Sequence, residues 1–124
     1  MSKQLIMIVE DDTSLRELFA IVVEQSGYAV ITAENGFEAL YLLETEKPDL
    51  IVLDMNLPVF NGMQVIRHVR STADLEHIKI IAASASTKAN ASEEAQMADA
   101  IFPKPFRNND LLNLIADLLD NAPA

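Results

Sequence analysis

Cysteine is absent from the 124-residue chain, so no disulfide holds the fold and packing must do so. That fits a cytoplasmic protein. No apolar stretch approaches the roughly 18 residues that a membrane span needs. Met1-Ser2-Lys3-Gln4 leads directly into an apolar strand-like run, which predicts no signal peptide. Basic residues are scarce: nine Lys and Arg stand against nineteen Asp and Glu, a formal net charge of −10. Such a surface repels phosphate backbones and anionic membranes, which argues against direct nucleic-acid or membrane binding. Neither G-x-G-x-x-G nor G-x-x-x-x-G-K-[ST] occurs, so dinucleotide and P-loop chemistry lack support. There is no internal repeat and no low-complexity segment.

What is present is an alternation. Half of the chain is hydrophobic, enough for one core, and the length suits one domain. Residues 1–124 are expected to form a single domain, with its core over about 4–120 and a tail at 121–124. Residues 4–9, 28–33, 49–53, 78–83 and 100–102 read as short apolar strands. Between them lie helical patterns. Residues 14–26 place Leu15, Leu18, Phe19, Val22 and Val23 on one face. Ser14 and Glu17 predict a capping box there, and Gly27 ends the helix. A second helix follows Asn35-Gly36 with Ala39, Leu40 and Leu43 inward, and Pro48 is expected to break it. A third fits 62–71, with Val65, Ile66 and Val69 inward. A weakly amphipathic, alanine-rich fourth is expected over 86–98. A fifth, over 108–120, buries Leu111, Leu112, Ile115, Leu118 and Leu119. Apolar strands alternating with amphipathic helices predict an α/β fold with a parallel sheet covered on both faces.

In such open sheets ligands bind beyond the C-terminal strand ends. Three strands end there in chemistry-bearing residues. Glu10-Asp11-Asp12 follows the first. Asp54 ends the third, before Met55-Asn56-Leu57-Pro58 and Asn61-Gly62. Lys104-Pro105-Phe106 follows the fifth. Bringing Glu10, Asp11 and Asp54 to about 4 Å would cost roughly 4 kcal/mol per pair at an effective dielectric near 20. A cation relieves this, and an all-oxygen donor set suits Mg²⁺. A divalent ion plus Lys104 brings the formal charge of the three acids to zero, so a phosphoryl group can approach.

These motifs together resemble the receiver domain of two-component response regulators. They comprise the acid pair after strand one, Asp54 with Pro58 and Gly62 behind it, Ala82-Ala83-Ser84-Ala85 ending strand four, and Lys104-Pro105-Phe106. The resemblance implies a flavodoxin-like (βα)5 fold of strand order 2-1-3-4-5. It implies Asp54 as phosphoacceptor, and Asp11 and Asp54 as ligands of Mg²⁺ (or Mn²⁺). Glu10 would ligate directly or through water, and the Asn56 backbone carbonyl would be a further ligand. Ser84 would hydrogen-bond the phosphoryl group and Lys104 would pair with one of its oxygens. Nucleophile, cation and donor are also what the chemistry requires. Asp12 is expected to cap the first helix, not to bind metal. His68 and His77 are expected on the surface, and Met7, Met63 and Met97 in packing.

The implied function is a phosphorylation-dependent switch. The donor is a histidine kinase or phosphotransfer protein, and a downstream protein partner of unspecified identity reads the state. The chain would be a monomer or a weak phosphorylation-dependent dimer. It would catalyse only its own phosphorylation and dephosphorylation, so it is not an enzyme acting on an outside metabolite. No output domain lies within these residues, although a piece of a longer protein would look the same.

Some positions depart from the family pattern. Ile101 stands where family members usually carry an aromatic ring three residues before the lysine. Met97 replaces a usual glycine, and the Ser84-to-Lys104 interval is about two residues shorter than expected. The fourth helix is therefore expected to be shortened, and the face it forms with strand five and the last helix to fit a different partner. Ala85 leaves donor access, while Asn56 and Ser86 occupy positions that tune dephosphorylation. A non-phosphorylated pseudo-receiver is the main alternative. A flavin binder or small hydrolase is disfavoured by the acidic first loop and by Asn56 in place of a second acid.

Overall fold

The computed structural model describes residues 3–55, 57, 61–84, 97–103 and 108–120, with only the backbone described for Ser84, Pro103, Asn108 and Asp120. The elements run β1 (Leu5–Val9), α1 (Thr13–Gln25), β2 (Ala29–Ala33), α2 (Gly36–Leu43), β3 (Leu50–Asp54), α3 (Gly62–Ser71), β4 (Lys79–Ser84), β5 (Ala100–Pro103) and α4 (Asn108–Asp120). The five strands form one sheet of order β2-β1-β3-β4-β5. Every pairing is parallel. This is the α/β architecture that the sequence predicts and the strand order that the family resemblance implies. The helix expected over 86–98 falls largely outside the described residues.

Alternate residues of each inner strand feed separate cores, as the two-residue period of a strand requires. Met7, Val9, Ile51, Leu53, Ile80 and Ala82 join Ala39 and Leu43 of α2 and Val65, Ile66 and Val69 of α3. Ile6, Ile8, Leu50, Val52 and Ile81 join Phe19 and Val23 of α1 and Leu111, Ile115 and Leu119 of α4. Covering both faces explains why β3 is buried along its whole length. Met7 is fully buried, Met63 and Met97 pack against the first core, and His68 and His77 are exposed.

Three local expectations need correction. The first helix begins at Thr13, and its N-cap is Asp12, whose Oδ1 accepts the Leu15 N–H at 3.0 Å. Ser14 lies inside the helix, so the Ser14/Glu17 box is not the cap. A carboxylate one residue upstream of Thr13 reaches the free first-turn N–H groups instead. Leu18 is 43% exposed, because the buried stripe centres on Phe19 and Val23 and one residue turns the helix by about 100°. Pro48 does not itself end α2. The helix stops at Leu43, and Glu44, Thr45 and Glu46 turn back onto its last carbonyls.

α3 starts with a reciprocal cap. Asn61 Oδ1 accepts the Gln64 N–H at 3.1 Å, and Gln64 Oε1 accepts the Asn61 N–H at 2.9 Å. Among the described residues, no helix is long and apolar enough to cross a membrane.

Candidate functional site

Asp54 is the last residue of the central strand β3 and is only 4% exposed. Its register partner in β4 is Ala83, whose carbonyl accepts the Met55 N–H at 2.9 Å. Glu10 directly follows β1 and is 3% exposed. Its N–H donates to the Ala33 carbonyl of β2 at 3.0 Å, and its own carbonyl accepts from the Arg16 guanidinium at 2.9 Å. Glu10 Oε2 also accepts the Asp12 N–H at 3.1 Å. The loop after β1 is therefore tied on both sides, and its acids are held at the sheet end. Sequence reasoning did not single out Arg16; its role depends on a turn geometry with no local signature.

One carboxylate oxygen from each of Glu10, Asp11 and Asp54 lies within 4.8 Å of the other two. Glu10 and Asp54 are buried and Asp11 is exposed. At the outer limit of that spacing two carboxylates repel by about 3.5 kcal/mol at an effective dielectric of 20. Hard cations take oxygen donors only, and octahedral bonds of roughly 2.0–2.1 Å put neighbouring ligand oxygens about 3 Å apart. The three oxygens lie close enough together to offer ligands to one ion. The donor set and its geometry fit a Mg²⁺-sized ion.

Other acids lie at the opposite end of the same sheet and are used differently. Asp49 Oδ2 accepts the Leu5 N–H at 2.8 Å, and Asp99 Oδ2 accepts the Ile80 N–H at 2.7 Å. These carboxylates precede their strands and join neighbours at the N-terminal ends, whereas Asp54 ends its strand.

Ser84 closes β4 one residue beyond Ala83, and its register partner is Pro103. Its side chain lies outside the described residues, as do Asn56, Ala85, Ser86 and Lys104. Pro103, the residue before Lys104, ends β5 at the same sheet end as Asp54. Ile101 is half-buried and packs against the core under α2 and α3, as Met97 also does. Phe102 packs toward α1 and α4. The two residues therefore face opposite sides of the sheet, and Phe102 does not stand in for a ring at position 101.

Residues 6–116 match the family model described as the response regulator receiver domain. This chain belongs to that family. Among curated relatives it is 36% identical over 114 residues to the response regulator MprA of Mycolicibacterium vanbaalenii, covering 92% of this chain and 49% of that protein. MprA of Mycobacterium avium is 35% identical, with 92% and 50% covered. The chain thus spans about half the length of the curated relatives it matches. Among solved structures, the response regulator TrrA of Thermotoga maritima, in complex with Mg²⁺ and BeF, superposes with TM-score 0.84 at 30% identity, covering 93% of this chain and 98% of that one. A receiver domain from Methanospirillum hungatei gives TM-score 0.88 at 29% identity, covering 96% and 95%. The receiver fold accounts for the placement of Glu10, Asp11 and Asp54 at one sheet end.

Proposed function

We propose that this receiver domain accepts a phosphoryl group on Asp54, with Mg²⁺ or Mn²⁺ held by Asp11, Asp54 and Glu10, and changes its protein contacts in response. The observation that carries this reading is the buried Asp54 carboxylate, clustered with two further acids at the C-terminal end of the central strand. The donor is a histidine kinase or phosphotransfer protein carrying phosphohistidine. An Asp54 oxygen forms the O–P bond as the P–N bond breaks, and the electron pair of that bond goes to the donor imidazole nitrogen, which takes up a proton from solvent. Hydrolysis later returns the carboxylate and releases phosphate.

The divalent ion, when bound, supplies positive charge to the phosphoryl oxygens. Glu10 and Asp11 hold negative charge beside Asp54, which lets a cation gather there. Burial of Asp54 keeps its carboxylate oriented at the end of a rigid strand. In the same reading the Asn56 carbonyl completes the donor set. The Ser84 hydroxyl and Lys104 ammonium meet the phosphoryl oxygens, and Asn56 and Ser86 set the rate of hydrolysis. The chain is a switch with no turnover on an outside metabolite. Its net charge of −10 supports an output through protein contact and not through nucleic acid bound by these residues. Output carried elsewhere in a longer protein fits the reading equally well.

The test is intact mass after incubation with Mg²⁺ and acetyl phosphate, beside an Asp54→Asn variant. The expected result is a single phosphoryl adduct that needs the metal and is lost in the variant. If neither an adduct nor a beryllium fluoride complex forms, the chain is an interaction module of the same fold that is not phosphorylated.

A further inference from the structure

The outward side of α2 carries two large aromatic side chains that the acid cluster does not use. Phe37 is 58% exposed and Tyr41 is 72% exposed. They stand four residues apart, so they share one helix face. The opposite side of α2 is anchored in the core through Ala39 and Leu43, so the aromatic pair sits on a rigid support. Glu34, Glu38 and Glu44 are exposed around it. Glu38 also accepts the Glu34 N–H at 3.1 Å, which holds the first two acids together at the start of the helix. The nearest basic side chain in sequence, Lys47, donates to the Leu43 carbonyl at 3.3 Å and caps the far end of the helix.

We infer that this face of α2 docks a basic, apolar segment of a partner protein, with Phe37 and Tyr41 as anchors and Glu34, Glu38 and Glu44 as the charged rim. Aromatic anchors inside a polar rim are the usual composition of a protein interface. Charge decides between occupants. A second copy of this chain would bring the same acidic rim and a net charge of −10, so like charges would meet. Anionic membranes and nucleic acids are repelled for the same reason. A cationic segment is attracted, and its apolar side chains cover the two rings. The inference does not depend on phosphorylation of Asp54.

The test uses the full chain and a fluorescein-labelled amphipathic peptide made only of leucine and lysine, with a leucine and glutamate peptide as its counterpart. Anisotropy gives affinity and amide chemical shifts give location. The Leu/Lys peptide is expected to move the amides from Glu34 to Glu44, and the Leu/Glu peptide is not expected to bind. Phe37→Ser/Tyr41→Ser should weaken binding about tenfold or more, the scale of interface anchors. Leu18→Ser/Ile21→Ser on α1 should leave it unchanged. Should the double variant not fold, Tyr41→Ser alone is read, with a weakening of at least about threefold. Shifts centred elsewhere, no binding, equal loss in both variant pairs, or wild-type self-association through α2 in sedimentation would each overturn the inference.

Discussion

Asp49 and Asp54 flank the same central strand and have opposite surroundings. Asp49 turns back to accept the Leu5 N–H and is part of the sheet's own hydrogen bonding. Asp54 lies among carboxylates. Replacing Asp54 by Asn removes one charge of that cluster and so should stabilise the fold in EDTA, by at most about the few kcal/mol that a like-charged pair represents, read as a higher melting temperature. Mg²⁺ should raise the melting temperature of the wild type and shift the variant much less, since only a species that binds the ion gains from it. Thermal melts with and without the metal check both statements. Gly62 is constrained by contact: a Cβ there would lie 2.6 Å from Met55 Sδ and 2.8 Å from Met55 Cα. Gly62→Ala should therefore destabilise the fold by about 1–3 kcal/mol, the usual cost of overpacking, measured by urea unfolding. The strain would fall on the turn after Asp54, so phosphorylation should slow as well.

At the level of elements, Arg70 joins pieces of chain that are distant in sequence. From the last turn of α3 its guanidinium donates to the carbonyls of Met97 at 2.8 Å and Ile78 at 2.7 Å, and to Asp99 Oδ2 at 2.7 Å. Asp99 in turn accepts the Ile80 N–H and donates its own N–H to the Ile80 carbonyl. This cluster sets the start of β5 beside β4. The ion pair is partly exposed, with side-chain exposures of 22% and 27%, so solvent screening reduces its electrostatic share. The hydrogen bonds to carbonyls carry the larger part. Arg70→Ala should cost roughly 1–3 kcal/mol. Amide exchange at Ile80 and Asp99 should speed up more than at Ile51 or Val52, whose strand is buried along its whole length. Uniform acceleration across the sheet would instead mean that Arg70 acts only on global stability.

Across the whole molecule, the parallel sheet sets where charge accumulates. Strands running in one direction gather their C-terminal loops at one end, so acids that are remote in sequence meet there. The site therefore depends on the order β2-β1-β3-β4-β5, which places β1 directly beside β3. A consequence is strong coupling between metal and stability. Saturating Mg²⁺, at about a hundred times its dissociation constant, should add roughly 2.7 kcal/mol to unfolding free energy. The gain should vanish when Glu10 and Asp54 are both replaced by their amides, as followed by denaturant midpoint with and without EDTA.

Periodicity determined the number of the described strands and their alternation with helices along the chain, while the order of the strands in the sheet came from the family resemblance. An apolar run of strand length or a stripe of helical spacing is a local property, and burial on both sheet faces requires helices to cover each side of the sheet. The acid pair and Asp54 were legible for a similar reason: they stand at or just after the ends of strands, and the parallel sheet sends such residues to one end. What the sequence alone left unsettled depended on contacts between distant segments. The sequence offered two caps for α1, Asp12 and the Ser14/Glu17 box, and backbone direction at one turn selects Asp12, whose carboxylate reaches the Leu15 N–H. Leu18 faces out because the neighbouring helix and sheet select which part of a broad apolar stripe is covered. Asp49 and Asp99 bond neighbouring strands through partners many residues away, and Arg70 became a junction because α3 ends where β4 and β5 begin. Such pairings are decided when the chain closes on itself, since a hydrogen bond across the sheet leaves no mark on the residues beside it in sequence.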